Sequence, residues 1–384
     1  MPVRELSKVD LRFMRLALRL AQRGQGFVEP NPMVGAVLVR NNVIIGQGWH
    51  QRFGGPHAEI NALSKAIALP RGGTLYVTLE PCCHTGKTGP CTQALIHAGI
   101  KRVVVAMRDP NPLVRGKGIA TLRKAGIQVD TGALQAEAQE LNRPFTKWIT
   151  TRTPYVIAKW AQTLDGCIAD RNGKSQWISS PESRQRVHVI RGRVDGIMVG
   201  IGTALADDPM LTARPANANH LRRTATRIII DSQCRLPLNS KLVLTAVDVP
   251  TMVFHRASAS GAVQRRARKL SQYGVECRGV RLEKNGALDL SAVLAELGKC
   301  NFTNILVEGG AKLMGAMLNA QLVDEGLVFI APKIAGDEHA RHAVEGVPLQ
   351  SIQQAAAVTF TSCQRTGSDF LLHWRADAAW NPSA

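Results

Sequence analysis

His57-Ala58-Glu59 and the later run Pro81-Cys82-Cys83-His84-Thr85-Gly86-Lys87-Thr88-Gly89-Pro90-Cys91 bring together the residue types that a hydrolytic metal site needs. One imidazole and two thiolates suit Zn2+, and three protein ligands leave the fourth tetrahedral position to water, whose pKa then falls to about 7. Zinc deaminases use this ligand set beside a glutamate that does not bind the metal. The pattern therefore assigns His57, Cys82 and Cys91 as ligands. Glu59 becomes the group that carries a proton from water to departing ammonia. Cys82 is preferred to Cys83 because it directly follows Pro81, as in the deaminase signature, and Cys83 is read as a small core-facing residue. That signature usually closes as Cys-x-x-Cys; here the intervening loop is longer and carries His84 and Lys87, which suits an anionic substrate. A structural zinc would call for a fourth ligand, and a buried thiol cluster would hold no metal at all. Asn31, between Pro30 and Pro32, either turns the chain or presents its amide to a pyrimidine edge; beside the zinc motif the second reading is preferred.

These groups must be held by an alternation of helix and strand. Apolar spacing predicts a helix over Asp10–Arg23, and strands over Met33–Val39 and Val43–Gly48 around a tight turn at Asn41-Asn42. A helix follows over His57–Ala68, then a buried strand at Thr74–Leu79, a helix at Cys91–Ala98 and a strand at Arg102–Ala106. In a helix, positions two apart point in different directions, so His57 can reach metal while Glu59 faces substrate. The polar, β-branched run Thr150-Thr151-Arg152-Thr153-Pro154 predicts a boundary that no helix crosses, dividing the chain into domains 1–150 and 151–384.

The second half restarts the alternation. Strands are predicted at Tyr155–Thr163, Gly196–Val199, Arg227–Ile230, Thr251–Phe254 and Asn304–Val307, with two more near Leu327–Ile330 and Phe370–Trp374. Ser180-Pro181-Glu182 is a helix start with Ser as N-cap and Pro at the first helical position. Ala216–Thr226 reads as loop and Ala376–Ala384 as a loose tail. Val199-Gly200-Ile201-Gly202-Thr203 and Val307-Glu308-Gly309-Gly310-Ala311-Lys312-Leu313 each leave a strand for a helix, where backbone can approach phosphate. A full Gly-x-Gly-x-x-Gly is absent. Taken alone, such glycines read as turns.

Composition sets the outer limits. The 384 residues suit two cores, and 45% hydrophobic with 20% charged residues describes a globular chain. No run is long enough to span a bilayer. The segment Met1–Asp10 has no apolar core of a secretory signal, so the chain is expected to be cytoplasmic, with its cysteines reduced. The net charge of +19 is spread over both halves: 20 Lys/Arg against 9 Asp/Glu in residues 1–150, and 28 against 20 beyond. That excess fits phosphorylated small molecules, nucleic acid or simply a basic surface.

The set Pro-Asn-Pro-x-Val-Gly, His-Ala-Glu and Glu-Pro-Cys-x-His-x-Gly-Lys-Thr-x-Pro-Cys resembles the deaminase half of the bifunctional riboflavin-biosynthesis deaminase/reductase family. It departs at Cys83, where the family usually has Ser, and at Gly89, where it usually has Pro; neither removes a ligand. Lys159–Gly166, Ser175-Gln176-Trp177-Ile178, Leu205-Ala206-Asp207-Asp208-Pro209 and Glu308-Gly309-Gly310 resemble its reductase half.

The resemblance implies a three-layer α/β domain like cytidine deaminase, followed by an α/β domain like dihydrofolate reductase. It implies deamination of a phosphoribosylated diaminopyrimidinone, then NADPH-dependent reduction of the ribosyl group to ribityl. Asn31, His84 and Lys87 would then meet substrate in the first site. In the second, Ala161, Trp177, Thr203, Asp207 and the stretch Gly310, Ala311, Lys312, Leu313, Met314, Gly315 and Ala316 would line the NADPH site. Ser175, Arg191, Leu211, Arg214 and Glu308 would meet substrate, with Lys159 and Asp207 in catalytic positions. Arg191 and Arg214 suit a phosphate through their planar forked donors. Trp177 either covers the nicotinamide or sits in the core. The expected partners are the phosphoribosylated pyrimidines and further copies of the chain, with no membrane and no nucleic acid. Against a nucleic-acid deaminase stand the 5% aromatic content and the long zinc loop.

Overall fold

The structure is a computed structural model that describes residues 6–83, 89–258, 261–347 and 351–376. The chain forms two compact units, Met1–Arg152 and Thr153–Ala384.

In the first unit, helix α1 (Lys8–Ala21) opens at Ser7, whose Oγ accepts the Asp10 N–H while the Asp10 carboxylate accepts the Ser7 N–H. This reciprocal cap places the start two residues before the expected Asp10, because it satisfies two backbone donors at once. Strands β1 (Gly35–Arg40), β2 (Val43–Trp49), β3 (Thr74–Leu79), β4 (Arg102–Met107) and β5 (Gln128–Thr131) form a sheet in the order β2-β1-β3-β4-β5. The β1–β2 and β1–β3 pairs are antiparallel; β3–β4 and β4–β5 are parallel. The turn between β1 and β2 has positive φ at both Asn41 (51°) and Asn42 (60°), as the Asn-Asn pair requires.

Helices α2 (Ala58–Ser64), α3 (Cys91–His97), α4 (Lys117–Lys124), α5 (Gln135–Leu141) and α6 (Arg143–Thr151) complete the unit. Glycines reveal the layering. A Cβ on Gly35 would lie 2.0 Å from the Ala17 carbonyl of α1, whereas one on Gly48 would lie 2.4 Å from the Ala58 carbonyl of α2. Gly48 pairs with Ala36, next to Gly35, so the two helices press on opposite faces of the sheet. The result is a helix–sheet–helix sandwich, in agreement with the three-layer expectation. Arg102 on β4 ties it together, donating to Asp10 at 2.6 Å and to Asp130 at 2.7 Å.

Two expectations are corrected here. Helix α2 is shorter than His57–Ala68: His57 is its extended N-cap residue, and the chain leaves the helix so that the Ile67 N–H can bond the Ile45 carbonyl at the sheet. Helix α6 crosses into the expected linker and ends at Arg152, which adopts the left-handed conformation (φ 60°). Thr150 and Thr151 fit inside it because their hydroxyls bond back to the Thr146 and Lys147 carbonyls.

The second unit is built on strands β6 (Tyr155–Gln162), β7 (Cys167–Ala169), β8 (Gly196–Gly200), β9 (Thr226–Ile230), β10 (Thr251–Arg256), β11 (Glu276–Val280), β12 (Asn304–Glu308), β13 (Glu325–Ile330), β14 (Arg341–His342), β15 (Val358–Thr366) and β16 (Asp369–Ala376). Nine of them form one sheet in the order β11-β10-β9-β8-β12-β6-β13-β16-β15, parallel from β11 to β13 and antiparallel beyond. The connecting helices are α7 (Pro181–Arg191), α8 (Ile201–Asp207), α9 (Lys241–Leu244), α10 (Gly261–Gln272), α11 (Leu290–Lys299) and α12 (Ala311–Asn319). Ser180 caps α7 through its hydroxyl, with Pro181 at the first helical position, as read from the sequence.

Strands β7, β11, β14 and β15 were not anticipated. β15 is largely exposed on both faces, so no alternation marks it in the sequence. The loop reading of Ala216–Thr226 gives way to a short turn of 3-10 helix at Ala218–His220, and Thr226 already belongs to β9. Of the expected tail, Ala376 ends β16 and the remainder lies outside the described residues.

Candidate active sites

Three chain segments converge in the first unit. His57 caps α2, Cys82 follows the end of β3, and Cys91 opens α3. His57 Nδ1 lies 3.2 Å from Cys91 Sγ and 3.5 Å from Cys82 Sγ, and the three ligand atoms lie within 4.8 Å of one another. Cys82 Sγ also accepts the Cys91 N–H at 3.4 Å, at the start of α3. The bond to the Cys91 thiol lowers the Cys82 pKa to about 4 against the effect of burial, with His57 helping; the Cys91 thiol is correspondingly pushed up by Cys82 and by burial. His57 is raised by its bond to Cys82. Such a shared thiolate–thiol–imidazole set is the donor chemistry that suits a soft divalent cation such as zinc. Cys83 stands outside this cluster and is half-buried, not part of the core as expected.

Glu59 is buried in the first turn of α2 and bonds the Cys91 thiol. Burial pushes its carboxyl up to about 7, with His57 pulling it down and Cys82 pushing it up. A carboxyl poised there can both take and give a proton near neutral pH. Asn31 enters through a residue that sequence reasoning missed, His50. Its Nδ1 lies 3.1 Å from the Pro56 carbonyl and its Nε2 3.1 Å from Asn31 Nδ2. Only a ring protonated on Nδ1 satisfies both, so the Asn31 amide is oriented with its NH2 toward His50 and its oxygen turned away.

Glu80, also missed, backs the metal loop. Its buried carboxylate accepts the backbone N–H groups of Asp109 (3.3 Å), Gly116 (2.9 Å) and Ile119 (3.1 Å). A Cβ on Gly118 would lie 2.0 Å from the Pro81 carbonyl, so α4 packs directly on the strand end that carries Cys82. The glutamate in Glu-Pro-Cys was the available signal. His84 and Lys87 lie outside the described residues.

The second unit holds a cavity of 1090 Å³ at the carboxyl ends of its parallel strands. Its floor is ionic. β12 and β6 run in register with Glu308 beside Lys159, which puts both side chains on one face of the sheet. Arg191, from the last turn of α7, closes on Glu308 with two parallel bonds, Nε–Oε1 at 2.7 Å and Nη2–Oε2 at 2.6 Å. Burial would raise the Glu308 carboxyl, but Arg191 first, then Lys159 and His188, lower it to about 2. Lys159 is lowered by burial and by Arg191, against the pull of Glu308, and its Nζ lies 5.7 Å from the centre of the Phe329 ring.

Above this floor sit the glycine turns. Gly309 and Gly310 both have positive φ, and a Cβ on Gly310 would lie 2.8 Å from Thr203 Oγ1. The two strand-end turns therefore face each other, β8–α8 against β12–α12. Ala161, Ser175, Trp177, Thr203, Asp207, Leu211, Arg214, Gly310, Ala311, Lys312, Leu313 and Ala316 all line the cavity. Met314 and Gly315 do not. Met314 is in the core, and Gly315 packs on the Glu345 carbonyl, because helical periodicity turns these two positions of α12 inward. Trp177 is 63% exposed with the Arg184 guanidinium 4.6 Å from its ring centre, which removes the core reading.

Known proteins share this organisation. Residues 7–107 match the cytidine and deoxycytidylate deaminase zinc-binding region, and residues 154–372 match the RibD C-terminal domain. The riboflavin biosynthesis protein RibD of Aquifex aeolicus is 40% identical over 370 residues, which cover 96% of this chain and 99% of that protein. The chain belongs to the RibD family. RibD of Escherichia coli is likewise 40% identical over 374 residues, covering 95% of this chain and 98% of that protein.

Among solved structures, Acinetobacter baumannii RibD in its form 1 is similar with a TM-score of 0.86 at 34% identity, over 96% of this chain and 99% of that one. A Thermotoga maritima structure, described as a diaminohydroxyphosphoribosylaminopyrimidine deaminase/5-amino-6-(5-phosphoribosylamino)uracil reductase, gives a TM-score of 0.83 at 34% identity over the same shares. As a RibD, the chain is a bifunctional deaminase and reductase of riboflavin biosynthesis, with the zinc-binding deaminase region first. Among the described residues no helix is long and apolar enough to cross a membrane.

Proposed function

We propose that the first unit deaminates 2,5-diamino-6-(5-phosphoribosylamino)pyrimidin-4(3H)-one and that the second reduces the ribosyl group of the resulting uracil with NADPH. The observation that carries the first half is the convergence of His57, Cys82 and Cys91 around ligand atoms within 4.8 Å, with buried Glu59 against them. His57, Cys82 and Cys91 would hold zinc, which when bound lowers the pKa of water to about 7 and so supplies the nucleophile. Glu59 would take a proton from the attacking water and deliver one to the leaving amino group, so that one water enters and one ammonia departs. Asn31, held by His50, turns its amide oxygen to the pyrimidine edge. His84 and Lys87, which lie outside the described residues, are the further substrate contacts of this reading.

NADPH, when bound in the second unit, would supply a hydride for the sugar carbon bearing the amine. The facing turns at Thr203 and Gly310, with Ala161, Trp177, Asp207, Ala311, Lys312, Leu313 and Ala316, bind the coenzyme; Met314 and Gly315 support α12 from behind. Ser175, Leu211 and Arg214 bind the substrate. Lys159, lowered by burial and steadied by Glu308, gives a proton to the ring oxygen as its bond to that carbon breaks. Arg191 keeps Glu308 ionised and in place.

The test supplies the diaminopyrimidinone with zinc and NADPH and follows ammonia and NADPH together. One ammonia and then one NADPH per substrate is expected. Glu59→Gln should retain zinc and lose ammonia release on the order of 10²–10⁴-fold, while reduction of the deaminated uracil is unchanged. Full zinc and near-normal ammonia release in the Glu59→Gln variant would remove Glu59 from the reaction. Faster turnover with NADH than with NADPH would remove the coenzyme assignment.

A further inference from the structure

The cations lining the second cavity are not equally available. Arg191 commits Nε and Nη2 to Glu308, and its Nη1 reaches the Thr212 carbonyl at 3.4 Å. Arg184 donates to the Ser179 carbonyl at 2.6 Å and lies over Trp177. Arg214 differs. Among the described residues its guanidinium has no hydrogen-bond or ion-pair partner, yet it lines the same cavity. An unpaired forked donor of that kind suits a phosphate.

Arg214 stands in a segment with no regular structure, just after Leu211, which holds a left-handed φ of 49°. A branched residue rarely adopts that conformation without outside support. Two of the supports are long, the Arg191 contact at Thr212 and an Arg227 contact to the Met210 carbonyl at 3.4 Å. At Arg214 itself the support is His188, whose Nδ1 accepts the Arg214 N–H at 3.3 Å. His188 lies three residues before Arg191 on α7, so both project from one face into the cavity. An Nδ1 that accepts must be unprotonated. Burial and the charges of Arg191 and Arg214 hold the imidazole below its ordinary pKa, the Thr212 carbonyl and Glu308 working the other way.

We propose that His188 is a positioning residue of the reductase: by accepting the Arg214 main-chain N–H it fixes the segment that presents the unpaired Arg214 guanidinium to the phosphate of the substrate. Arg191, bidentate on Glu308, serves to hold that carboxylate. The proposal rests on the reductase reading above. A phosphate contact remote from the reacting carbon holds ground state and transition state alike, so its loss appears in KM and not in kcat.

The experiment compares His188→Leu, His188→Asn and His188→Gln in the full chain, alone and with Arg214→Met. Leu removes the acceptor; Asn and Gln carry a carbonyl that can replace it. His188→Leu should raise KM for the phosphoribosylamino-uracil about tenfold, roughly the worth of one hydrogen bond that orients a charged group. It should weaken inhibition by ribose 5-phosphate by a similar factor, with kcat and the KM for NADPH within about twofold of wild type. At least one of Asn and Gln should restore the wild-type KM. In the Arg214→Met background, His188→Leu should add less than about twofold, since it acts through Arg214. Ammonia release in the same chains checks folding of the first unit, and circular dichroism that of the whole.

An unchanged KM and ribose 5-phosphate inhibition in His188→Leu overturns the proposal while leaving the reductase reading intact. So does a full additional effect in the Arg214→Met background, or failure of both carbonyl variants to recover. A wild-type chain that oxidises no NADPH with this substrate overturns the reductase reading itself, and the subsite with it.

Discussion

The two sites solve the problem of holding charge in opposite ways. In the first unit the reactive groups are crowded: three ligand atoms lie within 4.8 Å, and one proton deficit is shared between two thiols and an imidazole. Such a set offers its shared negative charge to a cation. In the second unit the charges neutralise one another. Glu308 is clamped by Arg191 at 2.6 and 2.7 Å and flanked by Lys159, and the groups are spread over the floor of a 1090 Å³ cavity. A metal site needs a few donors at fixed spacing; a hydride-transfer site needs a long groove with one steady charge cluster. The first is therefore expected to be sensitive to metal, and the second to any break in its ion network.

The largest separation should come from chelation. A strong chelator is expected to abolish ammonia release, while reduction of the already deaminated uracil stays within about twofold, because among the described residues only the first unit has a ligand cluster. If circular dichroism is unchanged and reduction still stops, the contrast between the sites fails. Next in size is the difference between neighbouring cysteines. Cys82→Ser should lose most of its zinc, whereas Cys83→Ser should keep it, since only Cys82 Sγ joins His57 and Cys91. Metal analysis of the two purified variants decides this, and equal loss would bring Cys83 into the site.

The ion network gives a third test. Arg191→Met leaves the buried Glu308 carboxylate with Lys159 alone, and a broken buried pair costs roughly 3–5 kcal/mol. Calorimetry should show the loss in the transition of the second unit, with zinc content and ammonia release unaffected. Adding Glu308→Gln should recover part of the stability, because the stranded charge is gone. The smallest effect is with acid. Glu308 is lowered from its ordinary 4.5 to about 2, so the stability it contributes is fully present above pH 4.5 and drains away as pH falls toward 2. Hydrogen exchange in β12 should accelerate over that window in the native chain and much less in Glu308→Gln. Equal acceleration in both would mean that other groups carry the acid response.

Legibility differed between the units for the same reason. The deaminase groups lie in two short runs, and each run names its chemistry through residue type and spacing. The strands behind them read as short, almost continuously apolar runs, and the Asn41-Asn42 turn was readable because both residues tolerate positive φ. Helix limits were less accurate. Nothing in the apolar pattern marks His57 as the residue before α2 instead of within it, and the hydroxyl back-bonds that admit Thr150 and Thr151 to α6 compete with the same residues' preference for extended backbone. In the reductase half, Gly309-Gly310 and the Gly200 turn were visible as strand ends, but their facing across Thr203 was not.

By itself the sequence determined the parts: a His/Cys/Cys donor set with one glutamate, strand-end glycines without a complete dinucleotide fingerprint, and the resemblance that joins them. Only the tertiary structure decided which charges are paired and which are free. Arg191 and Arg214 read alike as forked cations near a phosphate site, yet β12 places Glu308 against one of them and leaves the other open. Neither His50 nor His188 was singled out from the sequence; the fold sets a carbonyl and an amide beside one ring and a main-chain N–H beside the other. A hydrogen bond or ion pair between residues far apart in the chain depends on strand register and helix packing, which no local pattern of residue types encodes.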